Sequence, residues 1–490
     1  MNTPKPATLG DLKNSGWHSR TVKEEMRQNL LAKLAEGGEP FPGIVGFDTT
    51  VIPQLINAVL ARHHIILLGL RGQAKTRLVR QLQTLLDDYQ PSLEGTYLNE
   101  DPLNPISPKG RQMVEEHGDK APIAWRHRRE RYHEKLATPD VSIADLIGDI
   151  DPIKAAREKL DISNEEVIHW GIIPRTNRGI FAINELPDLQ PRIQVGLLNI
   201  LEENDIQVRG FPLRVPLDLC MVFTANPEDY TNRGNIITPL KDRIDSQVIT
   251  HYPRTIDEAK TITRQEIRTS GDKVEIPEIV RDLVEEITFQ ARDSEFVDQA
   301  SGVSARVSIS AMENMISNIE RRALTNRDND LFPRMCDLYA VIPALTGKVE
   351  LVYEGEQEGP GLVARNLIGQ AINAVFLSHF PKPVRGKQSP DERPAENPYE
   401  AITDFFSTGR KVEMCDDLPL PEYTKRLETI IGLNRVVDEY LPADSPRLRL
   451  LHMELVLEGL YHNNVIAREE VDSMVRYADV FSDMLKGMGG

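Results

Sequence analysis

Residues 63–80, HHIILLGLRGQAKTRLVR, constrain this chain more than any other stretch. Ile65, Ile66, Leu67 and Leu68 form a short apolar run closed by Gly69. That is the pattern of a parallel strand buried on both faces. Gly69, Leu70, Arg71, Gly72, Gln73, Ala74, Lys75 and Thr76 follow. An amphipathic helix comes next, with Leu78, Val79, Leu82, Leu85 and Leu86 on its apolar side. Strand, glycine-bearing loop, Lys-Thr and helix make the layout of a phosphate-binding loop. Loop amides and the helix N-terminus face an anion, the lysine reaches the β- and γ-phosphates, and the threonine hydroxyl ligates magnesium. Gly69, Gly72, Gln73, Ala74, Lys75 and Thr76 are therefore the expected nucleotide contacts, with Thr76 on the metal. Ala74 stands where the pattern has glycine. A methyl there crowds backbone that wraps a phosphate, so the match is partial. The plainer alternative is an ordinary strand-to-helix turn, and Lys-Thr at the helix start weighs against it.

The rest of the composition narrows the class. A chain of 490 residues leaves room for about three domains. Its hydrophobic share of 40% is ordinary for globular proteins, so sizeable cores can form. A formal charge of -17 opposes non-specific binding to nucleic acid over most of the surface. Cys220, Cys336 and Cys415 are scattered without disulfide or zinc spacing, which fits a reducing cytoplasm. The first residues, MNTPKPATLGDLKNSGW, have no apolar core and do not read as a signal peptide. No apolar run approaches the ~18 residues of a membrane span.

In chain order, residues 1–40 read as a polar N-terminal extension with helical patches such as 22–34. Ile44 and Val45, between Gly43 and Gly46, form an apolar turn that either packs on a nucleotide base or is a plain turn. A helix is expected over 49–62, a strand over 95–99 and an insertion loop over 101–120. The cluster 125–135, WRHRRERYHEK, reads as a solvated helix face in preference to a surface for nucleic acid or for the acidic face of a partner. A strand over 141–146 and a charged helix over 153–160 follow.

Ile180, Phe181, Ala182 and Ile183 then lead into Asn184 and Glu185. The end of such a strand, beside a phosphate loop, is where a metal organiser and a general base are needed. The usual pair is Asp-Glu. Glu185 can polarise water, whereas neutral Asn184 meets a magnesium-bound water only through hydrogen bonds. A helix over 192–202 and a hairpin over 206–215 precede the strand 219–226, which ends in Thr-Ala-Asn. An amide at that end, Asn226, can orient an attacking water. A strand-end turn residue is its commoner role. Arg243 closes a short helix, where a permanently charged guanidinium suits developing phosphate charge. A pair with Asp242 or Asp245 is the plain alternative. After the strand 247–250 the pattern turns helical, over 256–268, 279–291, 307–322 and 362–379. Arg306 opens the third of these. Residues 380–400 read as a proline-rich linker, and 401–490 as a small helical end-piece.

Glycine loop with Lys-Thr, strand ending in Glu, strand ending in Asn, arginine on the next short helix, then a helical lid: this order resembles the AAA+ ATPase plan. GIIPRTNRGIFAINELPDL (171–189), TANPEDYTNRG (224–234) and TPLKDRID (238–245) resemble the corresponding stretches of the magnesium-chelatase ATPase subunit and its MoxR-type relatives. The resemblance covers about residues 41–345 and implies an α/β fold: a P-loop core with a parallel sheet (41–254) and a helical lid (255–379); the α-helical C-terminal region beyond the linker is read from the sequence pattern, and 380–490 resembles no known family. It makes Lys75 and Thr76 the Walker A pair and Glu185 the catalytic Walker B acid. It makes Asn226 the first sensor, Arg243 a trans-acting arginine finger and Arg306 the second sensor. Arg178 becomes a second subunit-interface arginine. Asn184 stands in the place of the Walker B aspartate on the metal.

The same resemblance implies ATP and Mg2+ as cofactors. It also implies a homo-oligomeric ring, hexameric in the usual case, and a partner carrying a von Willebrand A domain. The expected function is an ATP-driven motor that remodels or activates a protein partner. A magnesium-chelatase subunit and a nucleotide-gated scaffold with little hydrolysis are the alternatives, the second motivated by Ala74 and Asn184. A transcriptional activator is weaker, because no helix-turn-helix pattern appears.

Overall fold

Ile65–Leu68 forms the expected strand, β1, with Ile65 and Leu67 fully buried. The computed structural model describes residues 5–159, 165–208, 214–227, 235–268, 274–327, 330–383, 397–415, 418–471 and 474–480. They fall into two units, Met1–His251 and Tyr252–Gly490.

In the first unit the strands after β1 are β2 (Tyr89–Leu93), β3 (Ile123–His127), β4 (Tyr132–Leu136), β5 (Gly148–Ile150) and β6 (Ile168–Trp170). They continue as β7 (Gly179–Asn184), β8 (Asp205–Gln207), β9 (Arg214–Pro216), β10 (Leu219–Ala225) and β11 (Ser246–Ile249). Five of them make one parallel sheet in the order β11-β1-β10-β7-β4. The apolar runs are its inner strands, and both faces are covered, as a parallel sheet requires.

One face carries the helices α2 (Val22–Ala35), α3 (Val51–Leu60) and α4 (Lys75–Gln81), while α1 (Leu9–Asn14) packs with Leu93 of β2 and Ile123 of β3. Val22, Met26 and Leu30 pack there with Phe41, Leu55, Leu78 and the sheet residues Leu67 and Val222. Thr21 caps α2 by accepting from the Glu24 amide. Val22, Met26 and Leu30, in the stretch read as an extension, are thus buried in this core. The other face packs Phe181, Ile183, Met221 and Phe223 against α9 (Pro191–Gly196) and α10 (Leu198–Glu202).

Several expected elements differ. The strand expected at 95–99 lies earlier, as β2, and pairs antiparallel with β3. The expected loop 101–120 contains α5 (Pro108–His117), started by Ser107 and Pro108. The basic stretch 125–135 is strand and 3-10 turn, not a helix face, and β4 forms an edge of the main sheet. Its charge misleads because Arg131 is buried against Glu25 of α2, both side chains fully enclosed. The apolar run at 141–146 becomes a short helix, α6 (Ile143–Leu146), because Ser142 and Asp145 form a capping box. The helix α7 (Pro152–Glu158) follows, then α8 (Ile172–Arg175). The hairpin β8–β9 is present, and its tip, 209–213, lies outside the described residues. A last helix, α11 (Thr238–Asp242), precedes β11.

The second unit contains the expected helices Ile256–Glu266, Glu278–Asp293, Arg306–Asn326 and Pro360–His379. One hydrophobic core runs from Ile279 to Tyr477, so the segments read as lid and end-piece share it. Gly459 permits this: a Cβ there would stand 2.2 Å from the Phe376 ring. The C-terminal piece is not wholly helical. β12 (Val412–Cys415), β13 (Ala467–Val471) and β14 (Met474–Ala478) form an antiparallel sheet in the order β12-β14-β13. Most of the expected linker, 384–396, lies outside the described residues. Among those described, no helix is long and apolar enough to cross a membrane.

Candidate nucleotide site

The loop between β1 and α4 is fixed from below. The Gly69 amide donates to the Ala225 carbonyl, so the loop leaves the sheet beside β10. A Cβ on Gly69 would stand 2.0 Å from Thr250 Oγ1 and 2.2 Å from Gln73 Oε1, so only glycine fits. Gln73 is buried, and its Oε1 accepts from Thr250 Oγ1 at 2.8 Å. Its side chain braces the loop, which leaves only its backbone to face a phosphate. Gly72 has φ 75°, and Ala74 has φ 55° and ψ 13°. The methyl is thus held in the left-handed region that glycine occupies freely, at a cost of about 1–2 kcal/mol. That is the physical content of the partial motif match.

Lys75 opens α4, and its Nζ donates to the Leu70 carbonyl at 2.8 Å, to the Gly69 carbonyl, and to Asn226 Oδ1 at 2.7 Å. The ammonium therefore joins the loop to the end of β10. Thr76 is exposed beside it. One strand further out, β7 ends at Asn184, and Glu185 turns sharply out of the strand with φ 57°. The Glu185 amide donates to Thr224 Oγ1 at 3.1 Å, and that hydroxyl donates to Asn184 Oδ1 at 3.3 Å. Thr224 thus positions both residues of the strand end. Sequence reasoning missed it, although it lies in register beside Leu67 on the face that carries the loop.

A second missed group lies under α4. Arg80 Nε donates to both oxygens of Glu134 at 3.1 Å, and Tyr132 donates its hydroxyl at 2.8 Å. The Arg80 hydrogen bond leads in holding the Glu134 carboxyl below the usual carboxylate range, and Asn184 adds a further hydrogen bond.

The arginines divide. Arg243 follows α11 and donates from Nε to Glu202 Oε2 at 2.7 Å and from Nη1 to the Pro239 carbonyl at 3.0 Å. Its acid partner is Glu202, not Asp242 or Asp245, since Asp245 accepts from the His64 amide at 2.8 Å. Arg178, expected at a subunit interface, is interior: it is 3% exposed, and Nη1 donates to the Pro91 carbonyl at 2.8 Å. Burial lowers its pKa to about 10. The guanidinium is thus enclosed within its own unit. Arg306 belongs to the second unit, where it starts its helix and is exposed.

The strand order places β1 between β11 and the strand that ends in Asn226. The strand ending in Asn184 and Glu185 is next outward. The first unit is an α/β fold, a five-stranded parallel sheet with a phosphate-loop layout between β1 and α4. No protein-family model matches the chain. It is similar to a Cytophaga hutchinsonii protein assigned as an ATPase, at 18% identity over 73% of this chain and 97% of that one, with a TM-score of 0.30. A complex between the BchI and BchD subunits of magnesium chelatase gives 18% identity over 65% and 98%, with a TM-score of 0.34. NtrX from Brucella abortus in complex with ATP gives 14% identity over 58% and 52%, with a TM-score of 0.35.

The residues at this site fit a magnesium nucleotide. The lysine ammonium and the amides at the start of α4 suit phosphate. Thr76, Asn184 and Glu185 offer hard oxygen atoms, the chemistry that magnesium takes. Among the described residues no cluster of three or more His, Cys, Asp or Glu is poised to hold a metal. Magnesium in phosphoryl-transfer sites needs no such cage, because one or two carboxylates, phosphates and waters complete its shell.

Proposed function

We propose that this chain binds and hydrolyses ATP with magnesium, and works as a homo-oligomeric ring that remodels or activates a protein partner in the MoxR and magnesium-chelatase manner. The observation that carries the reading is the Lys75 ammonium, which the loop carbonyls and Asn226 hold at one point. Those same acceptors release the lysine to a phosphate, because an anion outcompetes neutral carbonyls for an ammonium. Lys75 then contacts the β/γ-phosphates and Thr76 the metal. Asn226 orients water, and Glu185 takes its proton. Magnesium, when bound, neutralises charge on the phosphate oxygens. Arg243 serves the neighbouring subunit's nucleotide, and Arg306 takes the second-sensor role by resemblance alone. The AAA+ fold supports many activities, so the client is argued by resemblance alone: a protein with a von Willebrand A domain.

Lys75→Ala is expected to weaken binding of a fluorescent ATP analogue by about 2–3 kcal/mol, roughly 30- to 150-fold. Equal affinity in a folded variant removes the site assignment. The left-handed Ala74 and the neutral Asn184 favour a second reading, a nucleotide-gated scaffold with little hydrolysis. Phosphate release, measured together with particle mass in ATP and magnesium, separates the two.

A further inference from the structure

A magnesium ion beside a nucleotide draws on anionic oxygen, and Asn184 offers only an amide dipole. The missing charge has a source close by. Glu134 stands on β4 opposite Ala182, which lies two residues before Asn184 on the same sheet face. Leu136 pairs with Asn184, so Glu134 and Asn184 are diagonal cross-strand neighbours on that face, within reach of long side chains. Asn184 Oδ1 already accepts from Thr224, so the amide nitrogen is the group that can donate to a carboxylate. From above, Arg80 of α4 holds both Glu134 oxygens. Arg80 lies four residues after Thr76, so the two share a helix face one turn, about 5–6 Å, apart.

We propose that Glu134 supplies the carboxylate charge that Asn184 lacks at the magnesium position, and that Arg80 holds this carboxylate in reserve until the metal–nucleotide arrives. The inference rests on the nucleotide reading above. Asn184 and Glu134 together carry one negative charge, the same as a strand-end aspartate. Arg80 is a weak competitor for it. Its side chain is 57% exposed and that of Glu134 28%, and ion pairs of that exposure contribute little. A divalent cation is the strongest local charge once it is bound. Glu134 acts on the metal through Asn184 and is a positioning residue. The rival account makes Glu134 a brace between β4 and α4, useful only for holding the helix down.

The two accounts separate in a manganese titration followed by electron paramagnetic resonance, on the full chain with a non-hydrolysable ATP analogue. Glu134→Gln is expected to lose about tenfold in Mn2+ affinity, the loss typical of a ligand's hydrogen-bonded partner. Analogue binding in EDTA should stay unchanged. Adding Asn184→Asp to Glu134→Gln should restore the metal affinity, because the charge returns at the strand end itself, diagonal to Glu134. Arg80→Ala should leave Mn2+ affinity undiminished or raise it. If Glu134→Gln and Arg80→Ala fall together, or Asn184→Asp fails to rescue, Glu134 is a brace and the proposal is wrong. If Glu134→Gln binds Mn2+ as tightly as the parent chain does, the nucleotide reading stands and this inference falls. If the parent chain binds no analogue at all, the nucleotide reading fails and takes the inference with it.

Discussion

Ala74 and Asn184 are the residues at which this chain departs from its motif, and each has a local physical consequence. The left-handed Ala74 costs the loop about 1–2 kcal/mol that glycine would not. Asn184 keeps the hydrogen-bonding shape of aspartate and loses its charge. Both departures were legible in the sequence, because a motif fixes residue types at fixed offsets. Thr224 and Glu134 were not. Their roles come from register between strands far apart in the chain, and no local pattern encodes that. His64 is a third case. It is 3% exposed just before β1, and its Nδ1 accepts from the Met221 amide at 3.1 Å. Burial first, and Lys23 second, lower its pKa to about 3. The unfolded chain takes up this proton near pH 6.5, and the folded chain does so only near pH 3. Protonation therefore favours unfolding: the stabilisation is complete above pH 6.5 and is lost as pH falls through that window. The slope is about 1.4 kcal/mol per pH unit. Urea unfolding of the parent chain and His64→Gln at pH 7.5 and 5.0 should show the stability gap shrinking by ~2 kcal/mol at the lower pH. A constant gap would mean that His64 is not held neutral. Asp218, whose pKa burial raises to about 6, shifts stability in the opposite sense but does so in both proteins, so it cancels in the gap.

At the scale of elements, long apolar runs were the legible part. β1, β7 and β10 announce themselves, because strands buried on both faces cannot carry charge. β4 is an edge strand with the sequence YHEKL, and its polar residues find partners only in three dimensions. β12, β13 and β14 were hidden for the same reason: Arg476 of β14 pairs with Glu413 of β12 and Glu469 of β13. The contact that joins α2 to the approach of β4 is the enclosed pair of Arg131 and Glu25. Arg131 Nη1 donates to Glu25 Oε1 at 2.8 Å and Nη2 to Oε2 at 2.6 Å, and Nε donates to the Arg178 carbonyl at 2.9 Å. Removing one partner leaves the other charge buried and alone. Glu25→Ala should destabilise the first unit by about 3–5 kcal/mol. The double change Glu25→Leu with Arg131→Met should recover most of that loss, since it leaves no orphan charge. Denaturant melts of both variants check this. A Glu25→Ala cost below about 1 kcal/mol would show that the pair is solvated after all.

At the scale of the whole molecule, the sequence marks the change from alternating strands and helices to helices near residue 255, and the contact division falls at His251. It does not show that the region beyond residue 400 shares a core with the helices before it. That depends on close approaches such as Gly459 against Phe376. The proposed ring concerns surfaces between copies, and Arg243 is the residue through which it is testable. Within its own subunit Arg243 pairs with Glu202, with side chains 29% and 54% exposed, and such a pair contributes at most about 1 kcal/mol. It can therefore be given up for a phosphate at little cost. An arginine supplied in trans accelerates phosphoryl transfer by roughly three to five powers of ten in well-studied nucleotidases. Arg243→Ala and Glu185→Gln chains should each be inactive alone, the first lacking the guanidinium and the second the base. In a mixture, some interfaces combine an intact Glu185 from one chain with an intact Arg243 from its neighbour. Phosphate release should return in that mixture and rise with total protein concentration. If light scattering and labelled chains verify subunit exchange and no activity returns, Arg243 acts only on Glu202 and the shared-site reading is wrong.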